Sequence, residues 1–246
     1  MPYFNIVAET SENTVVTEYE PVKKRSDSYQ SEAALEQEFI RMLCEQGYEY
    51  LPIHMESDLV SNLRRQLEEL NHYTFSDTEW EDFFHNAIAN PNEHIVEKTR
   101  KIQEDHIQNL RRDDGSTKNI TLIDKKNIHN NRLQVINQYV VSTKDGAKHD
   151  NRYDVTVLVN GFPLVHIELK RRGVAIREAF NQIERYQRES FWSGSGLYEY
   201  IQIFVISNGA NTKYYSNSTR WNAEREHKKK GASKTKSSNS FEFTCF

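Results

Sequence analysis

The pair Asn160-Gly161, set between RYDVTVLV (152–159) and FPLVHIELK (162–170), constrains the fold more than any other feature of the chain. Asn-Gly supplies two consecutive residues that tolerate positive φ, which a tight antiparallel turn requires. Both flanking runs are rich in β-branched and aromatic residues, the residue types that fit a pleated, half-buried surface. Within such a ribbon alternate side chains share a face, so Glu168 and Lys170 point one way and Leu169 the other. Parity then decides where Asp154 lies. A plain two-residue turn pairs residue 159 with 162 and sets Asp154 opposite Ile167, on the wrong face to meet Glu168. An odd loop, such as a type I turn with Gly161 in a G1 bulge, or a bulge elsewhere, shifts the count and brings Asp154 onto the face of Glu168.

That meeting matters because neighbouring strands lie about 4.8 Å apart, close enough for two carboxylates to grip one hard cation. Mg²⁺ takes oxygen ligands, keeps several waters, and binds through one or two carboxylates plus a phosphate oxygen of a substrate. Asp154 and Glu168 are the candidate metal ligands, with the Leu169 backbone carbonyl a further one. Lys170 then stands where it can orient a water and offset charge on a reacting phosphate. An exposed Glu-x-Lys on a strand is usually a solvated face. Here, however, the charges end an otherwise apolar ribbon, and an acid interrupts YDVTVLV, a local rule broken at one place.

Four helical patterns precede the ribbon. Ser31 is a good N-cap for SEAALEQEFIRMLCEQ, which stops at Gly47 and places Leu35, Phe39, Met42 and Leu43 on one stripe. Further amphipathic stretches run over 57–71, 77–89 and 92–109, separated by Asn, Ser, Asp or Pro. LQVINQYVVS (133–142) reads as a strand ahead of the ribbon. A helix over 174–191 follows it, then IQIFVISNG (201–209), an apolar run suited to a buried strand, and TKYYSNS as another. The first 30 residues read as a polar tail with one strand at most, and REHKKKGASKTKSSNS as a basic mobile loop. The ending SFEFTCF has no polar tail, so further chain is expected beyond it.

With 246 residues, 37% hydrophobic and 28% charged, the chain is long enough to bury a core under a wide polar surface. No apolar run reaches the ~18 residues of a membrane span, so no membrane is expected. Neither a secretory leader nor a disulfide framework is evident: Cys44 and Cys245 stand outside any CxxC or His-rich spacing. A reducing cytoplasm fits. The net charge of −4 is unlike that of a free-standing DNA binder, for which phosphate neutralisation supplies most of the affinity. Basic residues are only clustered, at Lys170-Arg171-Arg172, Arg185 with Arg188, and Lys228-Lys229-Lys230, so DNA contact is expected to need help from a partner.

Asp154 followed by Glu168-Leu169-Lys170 resembles the PD-(D/E)xK nuclease signature, with Tyr153 in place of the usual proline. Gln182 and Tyr186 resemble the Q-x3-Y motif of its RecB-like branch. The run NRYDVTVLVNGFPLVHIELKRRGVAIREAFNQIERY is similar to the N-terminal nuclease domain of the type I restriction endonuclease R (motor) subunit, and the likeness extends over roughly 28–246. It implies an α/β, restriction-endonuclease-like fold: a central mixed sheet flanked by helices, with an N-terminal helical region. Residues 1–27 would be a tail and 28–246 the nuclease domain, with motor domains to follow.

The resemblance implies Asp154, Glu168 and Lys170 as the catalytic set, Asp154, Glu168 and Leu169 around Mg²⁺, and Gln182 and Tyr186 in support of the site or the DNA backbone. Packing of their helix accounts for the last two equally well. Such nucleases often add an acid from the first helix; Glu32 is the first candidate and Glu36 the second, although acids at a helix N-terminus need no metal to explain them. The implied partners are double-stranded DNA, the motor domains, and modification and specificity subunits. ATP would be used only by the full-length protein, since GASKTKS is not a G-x-x-x-x-G-K-[ST] loop. A repair or recombination nuclease of the same superfamily, or a non-catalytic docking module, are the alternatives. Asp154, Glu168 and Lys170 more than ~8 Å apart, or on opposite faces, would favour the docking module.

Overall fold

The computed structural model describes residues 4–9, 15–19, 31–141, 151–217 and 244–245. The basic segment REHKKKGASKTKSSNS lies outside them. Strands β1 (Phe4–Glu9) and β2 (Val15–Tyr19) pair with each other as an antiparallel hairpin, so the first 30 residues hold two strands where at most one was expected.

Helix α1 (Glu32–Glu45) starts at Ser31, whose side chain accepts the Ala34 N–H. Leu35, Phe39, Ile40 and Leu43 pack on the sheet, whereas Met42, expected on this stripe, is exposed and Ile40 takes its place. After β3 (Glu49–Tyr50) come α2 (Glu56–Asn71), α3 (Asp77–Phe83) and α4 (Ile95–Gln103). A capping box between Ser76 and Glu79 opens α3, and its expected last turn is instead a π-helical turn over Phe84–Ile88. The helix expected over 92–109 stops at Gln103, because 107–111 pairs as strand β4 (Ile107–Arg111) with β5 (Thr117–Thr121) around Asp114-Gly115.

The main sheet adds β6 (Leu133–Val141), β7 (Asn151–Val159), β8 (Phe162–Leu169), β9 (Ile203–Ser207), β10 (Thr212–Ser216) and β11 (Thr244–Cys245), with α5 (Ile176–Glu189) between β8 and β9. Its order is β11-β10-β9-β8-β7-β6-β3. The pairs β8–β9 and β3–β6 are parallel and the others antiparallel, a mixed sheet. The parallel β8–β9 pair requires a crossover, which α5 provides. On one face α1 covers Val135, Val155, Val157, Ile167 and Leu169. On the other, α5 lays Ala179, Phe180, Ile183 and Tyr186 onto a larger core shared with α2 and α3. Together these elements form an α/β, restriction-endonuclease-like fold with an N-terminal helical region.

The Asn160-Gly161 turn is the two-residue kind, with φ of 50° and 82° and Val159 paired to Phe162. Leu164 is the extra residue: Leu158 pairs with Pro163 but Val157 with Val165. The parity shift therefore comes from a bulge inside β8 and not from the G1 arrangement at the turn. Asn160 fixes the tip, its amide bonding Leu122 O and Asn131 Oδ1 while its oxygen accepts the Arg132 N–H.

Candidate active site

Past the bulge, β7 and β8 stay in register to Val155↔Ile167, which sets Asp154 against Glu168 at the next pair. There the backbone ladder gives way to a side chain. Asp154 Oδ2 accepts the Leu169 N–H at 2.9 Å. On the other side, the Lys170 N–H bonds Ser207 O of β9 at 2.8 Å, and Lys170 Nζ donates to Glu168 Oε1 at 3.2 Å. One end of three adjacent strands thus presents Asp154, Glu168 and Lys170 together.

Strand β6 contributes an irregularity at the same level. Gln138 stands opposite Asp154 in the β6–β7 register and has φ of 53°, the left-handed region that non-glycine residues avoid. Alternation breaks there: Tyr153 joins the aromatic core under α5, while Val155, two residues on, packs under α1. An unbroken strand would put both on one face. Asp154 lies at this crossover.

Glu168 is fully buried and Asp154 largely so. Burial is the main cause that raises the Asp154 carboxyl to about 7, and the Glu168 charge adds to it against the Leu169 N–H and Lys170. Glu168 is also raised to about 7, by burial first, with Lys170 opposing. Glu168 Oε2 is buried without a hydrogen-bond partner. Two crowded carboxyls that resist ionising, one with an orphan oxygen, have the donor chemistry a hard cation takes. Among the described residues no group of three or more His, Cys, Asp and Glu gathers as a metal site. Two carboxylates, one backbone carbonyl at Leu169 and waters fit Mg²⁺, which needs no all-protein cage.

The remaining expected residues surround this pair. Gln182 Nε2 donates to Tyr186 Oη, which donates to the Arg152 carbonyl at 2.6 Å, two residues before Asp154. The Tyr186 ring packs 4.7 Å from that of Tyr153. Gln182 and Tyr186 thus brace strand β7 beside Asp154 as well as packing α5. Glu32 is exposed, and its carboxylate accepts the Arg171 N–H at 3.3 Å. Glu36 is buried and accepts from the Asn137 and Gln138 amides; burial raises its carboxyl and the Asp154 charge adds to this. Of the two first-helix acids, Glu36 is the one enclosed beside Asp154.

His166 was not anticipated. It is fully buried, two residues before Glu168 on the same face, and its Nε2 is 3.5 Å from Glu168 Oε2. Burial lowers its imidazole to about 4. The period of two places it beside Glu168, but nothing in the local sequence distinguishes it from a strand residue facing solvent.

The chain matches the family model "Type I restriction enzyme R protein N terminus" over residues 29–223. It is 48% identical over 215 residues to the EcoprrI endonuclease subunit of Escherichia coli, a match covering 87% of this chain and 67% of that protein. It is 40% identical over 195 residues to the SauMSSORF170P endonuclease subunit of Staphylococcus aureus, covering 77% of this chain but 20% of the relative. A putative MjaIXP endonuclease subunit of Methanocaldococcus jannaschii is 33% identical over 107 residues, 43% of this chain and 10% of its own. The chain thus spans about a fifth of the staphylococcal relative's length. It belongs to the family of type I restriction enzyme R protein N-terminal domains.

Proposed function

We propose that this domain is the DNA-cutting part of a type I restriction complex, hydrolysing phosphodiester bonds with Mg²⁺ and without sequence choice of its own. The observation that carries the reading is the coupled pair Asp154 and Glu168 on adjacent strands, with Lys170 Nζ on Glu168 Oε1. Asp154, Glu168 and the Leu169 carbonyl would hold the ion. When bound, the ion supplies Lewis acidity toward a phosphoryl oxygen and neutralises charge at the scissile phosphate. Lys170 Nζ orients the attacking water and donates a hydrogen bond to the phosphate as negative charge builds on it. The water oxygen bonds to phosphorus as the bond from phosphorus to the leaving oxygen breaks. Tyr186 and Gln182 keep β7 in place, so the Asp154 carboxylate need not reorganise during the reaction.

Arg171 and Arg172, which follow Lys170 directly, and Arg185, whose guanidinium lies 5.3 Å from the Tyr186 ring centre, are exposed and offer positive charge suited to a double-stranded DNA backbone. With the chain at net −4, the motor domains and the modification and specificity subunits would supply most of the DNA affinity. The ATP requirement would likewise belong to the motor domains. A soluble place in the cytoplasm accords with this, and among the described residues no helix is long and apolar enough to cross a membrane.

The test is made in the assembled complex. Asp154→Ala, Glu168→Ala and Lys170→Ala are each expected to abolish cleavage, by a factor on the order of 10³ or more, while ATP hydrolysis and translocation continue. Normal cleavage by any one of them removes that residue from the role.

A further inference from the structure

The buried polar groups next to the carboxylate pair contain one unexplained coincidence. His166 is fully buried, and neither of its ring nitrogens has a hydrogen-bond partner. Glu168 Oε2 is buried and equally unpartnered. The two face each other, Nε2 to Oε2, at 3.5 Å. Buried polar side chains are rarely left unpaired, and two orphans that face one another mark a bond the site is built to make. The aromatic rings around the imidazole restrain where it can go: Tyr153 at 5.5 Å, Phe191 at 5.8 Å and Tyr186 at 6.0 Å between centroids, each edge-to-face. None of these rings bonds a His166 nitrogen. Tyr153 Oη is committed to Ser190, and Tyr186 Oη to Gln182 and Arg152.

We propose that His166 is a positioning residue for the candidate metal site: its Nε2–H donates to Glu168 Oε2 and fixes the carboxylate's rotation, leaving Oε1 directed toward Lys170 and the ion. The inference rests on the reading of Asp154 and Glu168 as metal ligands. Partners that hold a ligating carboxylate are an integral part of a metal site, and their loss typically weakens metal affinity about 10–100-fold. The aromatic cage supplies the stiffness and the imidazole the direction. Lys170 holds one oxygen of Glu168 from the open side, and His166 holds the other from within the core.

Three measurements on the full chain test it. Calorimetry with Mn²⁺ or Mg²⁺ on the unaltered protein first tests the site itself; no binding there sinks the metal reading as a whole. If the metal binds, His166→Leu is expected to weaken it by about tenfold or more with a far-UV spectrum like the parent's. His166→Gln, whose Nε2 reaches the same position as the imidazole Nε2, is expected to recover most of that loss. Unchanged affinity in His166→Leu, or equal defects in Leu and Gln, overturns the positioning role while leaving the ligands in place. The third measurement needs no variant: nitrogen NMR of histidine-labelled protein is expected to show His166 as the Nε2–H tautomer, and an Nδ1–H tautomer overturns the proposal even if neither variant folds.

Discussion

At the scale of single residues, Asp154 and Glu168 bind their protons more tightly in the folded chain than in the unfolded one. Their carboxyls rise from usual values of 3.8 and 4.5 to about 7, chiefly through burial. A carboxyl raised in this way contributes stability that is fully present below its unfolded value and lost as pH climbs through its folded one. The metal-free protein is therefore expected to lose stability between about pH 4 and pH 7 on account of this pair. In a chelator, the Asp154→Asn/Glu168→Gln double variant should flatten that decline in thermal-melt midpoint, and it should be more stable than the parent at about pH 8. A parent curve as flat as the variant's removes the coupling. If the pair binds Mg²⁺ as proposed, the ion is expected to stabilise the parent more at the higher pH, because it must displace those protons to bind. Asp154, Glu168 and Lys170 are visible in sequence because strand alternation and one interrupted apolar run expose them. Gln138 and His166 are not: the left-handed backbone of the first and the unpaired nitrogens of the second exist only once the strands are assembled.

At the scale of elements, the hairpin β7–β8 follows directly from Asn-Gly and from alternation, and the helix expected over 174–191 forms as α5 (Ile176–Glu189). The β4–β5 hairpin does not follow in this way. Each of its strands buries one apolar side chain, Leu110 and Ile120, and so short a pattern has no period to read. The tip of β7–β8 also carries a contact that no local sequence rule announces. A Cβ at Gly161 would lie 2.6 Å from the Leu63 Cα of α2, whereas a Cβ at Gly115, in the β4–β5 turn, would meet nothing within 4 Å. Both glycines have positive φ, 82° and 80°. Gly115→Ala therefore reports backbone strain alone, about 1–2 kcal/mol. Gly161→Ala adds a clash with helix backbone and should exceed it clearly in denaturant unfolding. Equal losses would show that α2 yields to the turn.

At the scale of the molecule, helix α4 and the turn over Leu197–Tyr200 that leads into β9 are joined by a charge buried between them. Lys98 of α4, almost inaccessible to solvent, donates to Gly196 O and Glu199 Oε2 at 2.9 Å each and lies 5.7 Å from the Tyr200 ring centre. Removing one partner strands the other, so Glu199→Leu is expected to lower stability by about 3–5 kcal/mol. The double variant Lys98→Met/Glu199→Leu should recover most of this, because replacing both partners leaves no uncompensated charge. A double variant as unstable as Glu199→Leu would assign the loss to packing instead.

The extra residue at Leu164 has a consequence for how the motif is spelled. Thirteen residues separate Asp154 from Glu168, a spacing that suits this hairpin only because one of them is not counted in the pairing. The interval between the two acids is therefore governed by odd and even. Chains that lengthen or shorten this ribbon by two residues keep both carboxylates at the same end of the sheet. A change of one must be matched by gaining or losing a bulge, or the acids part company.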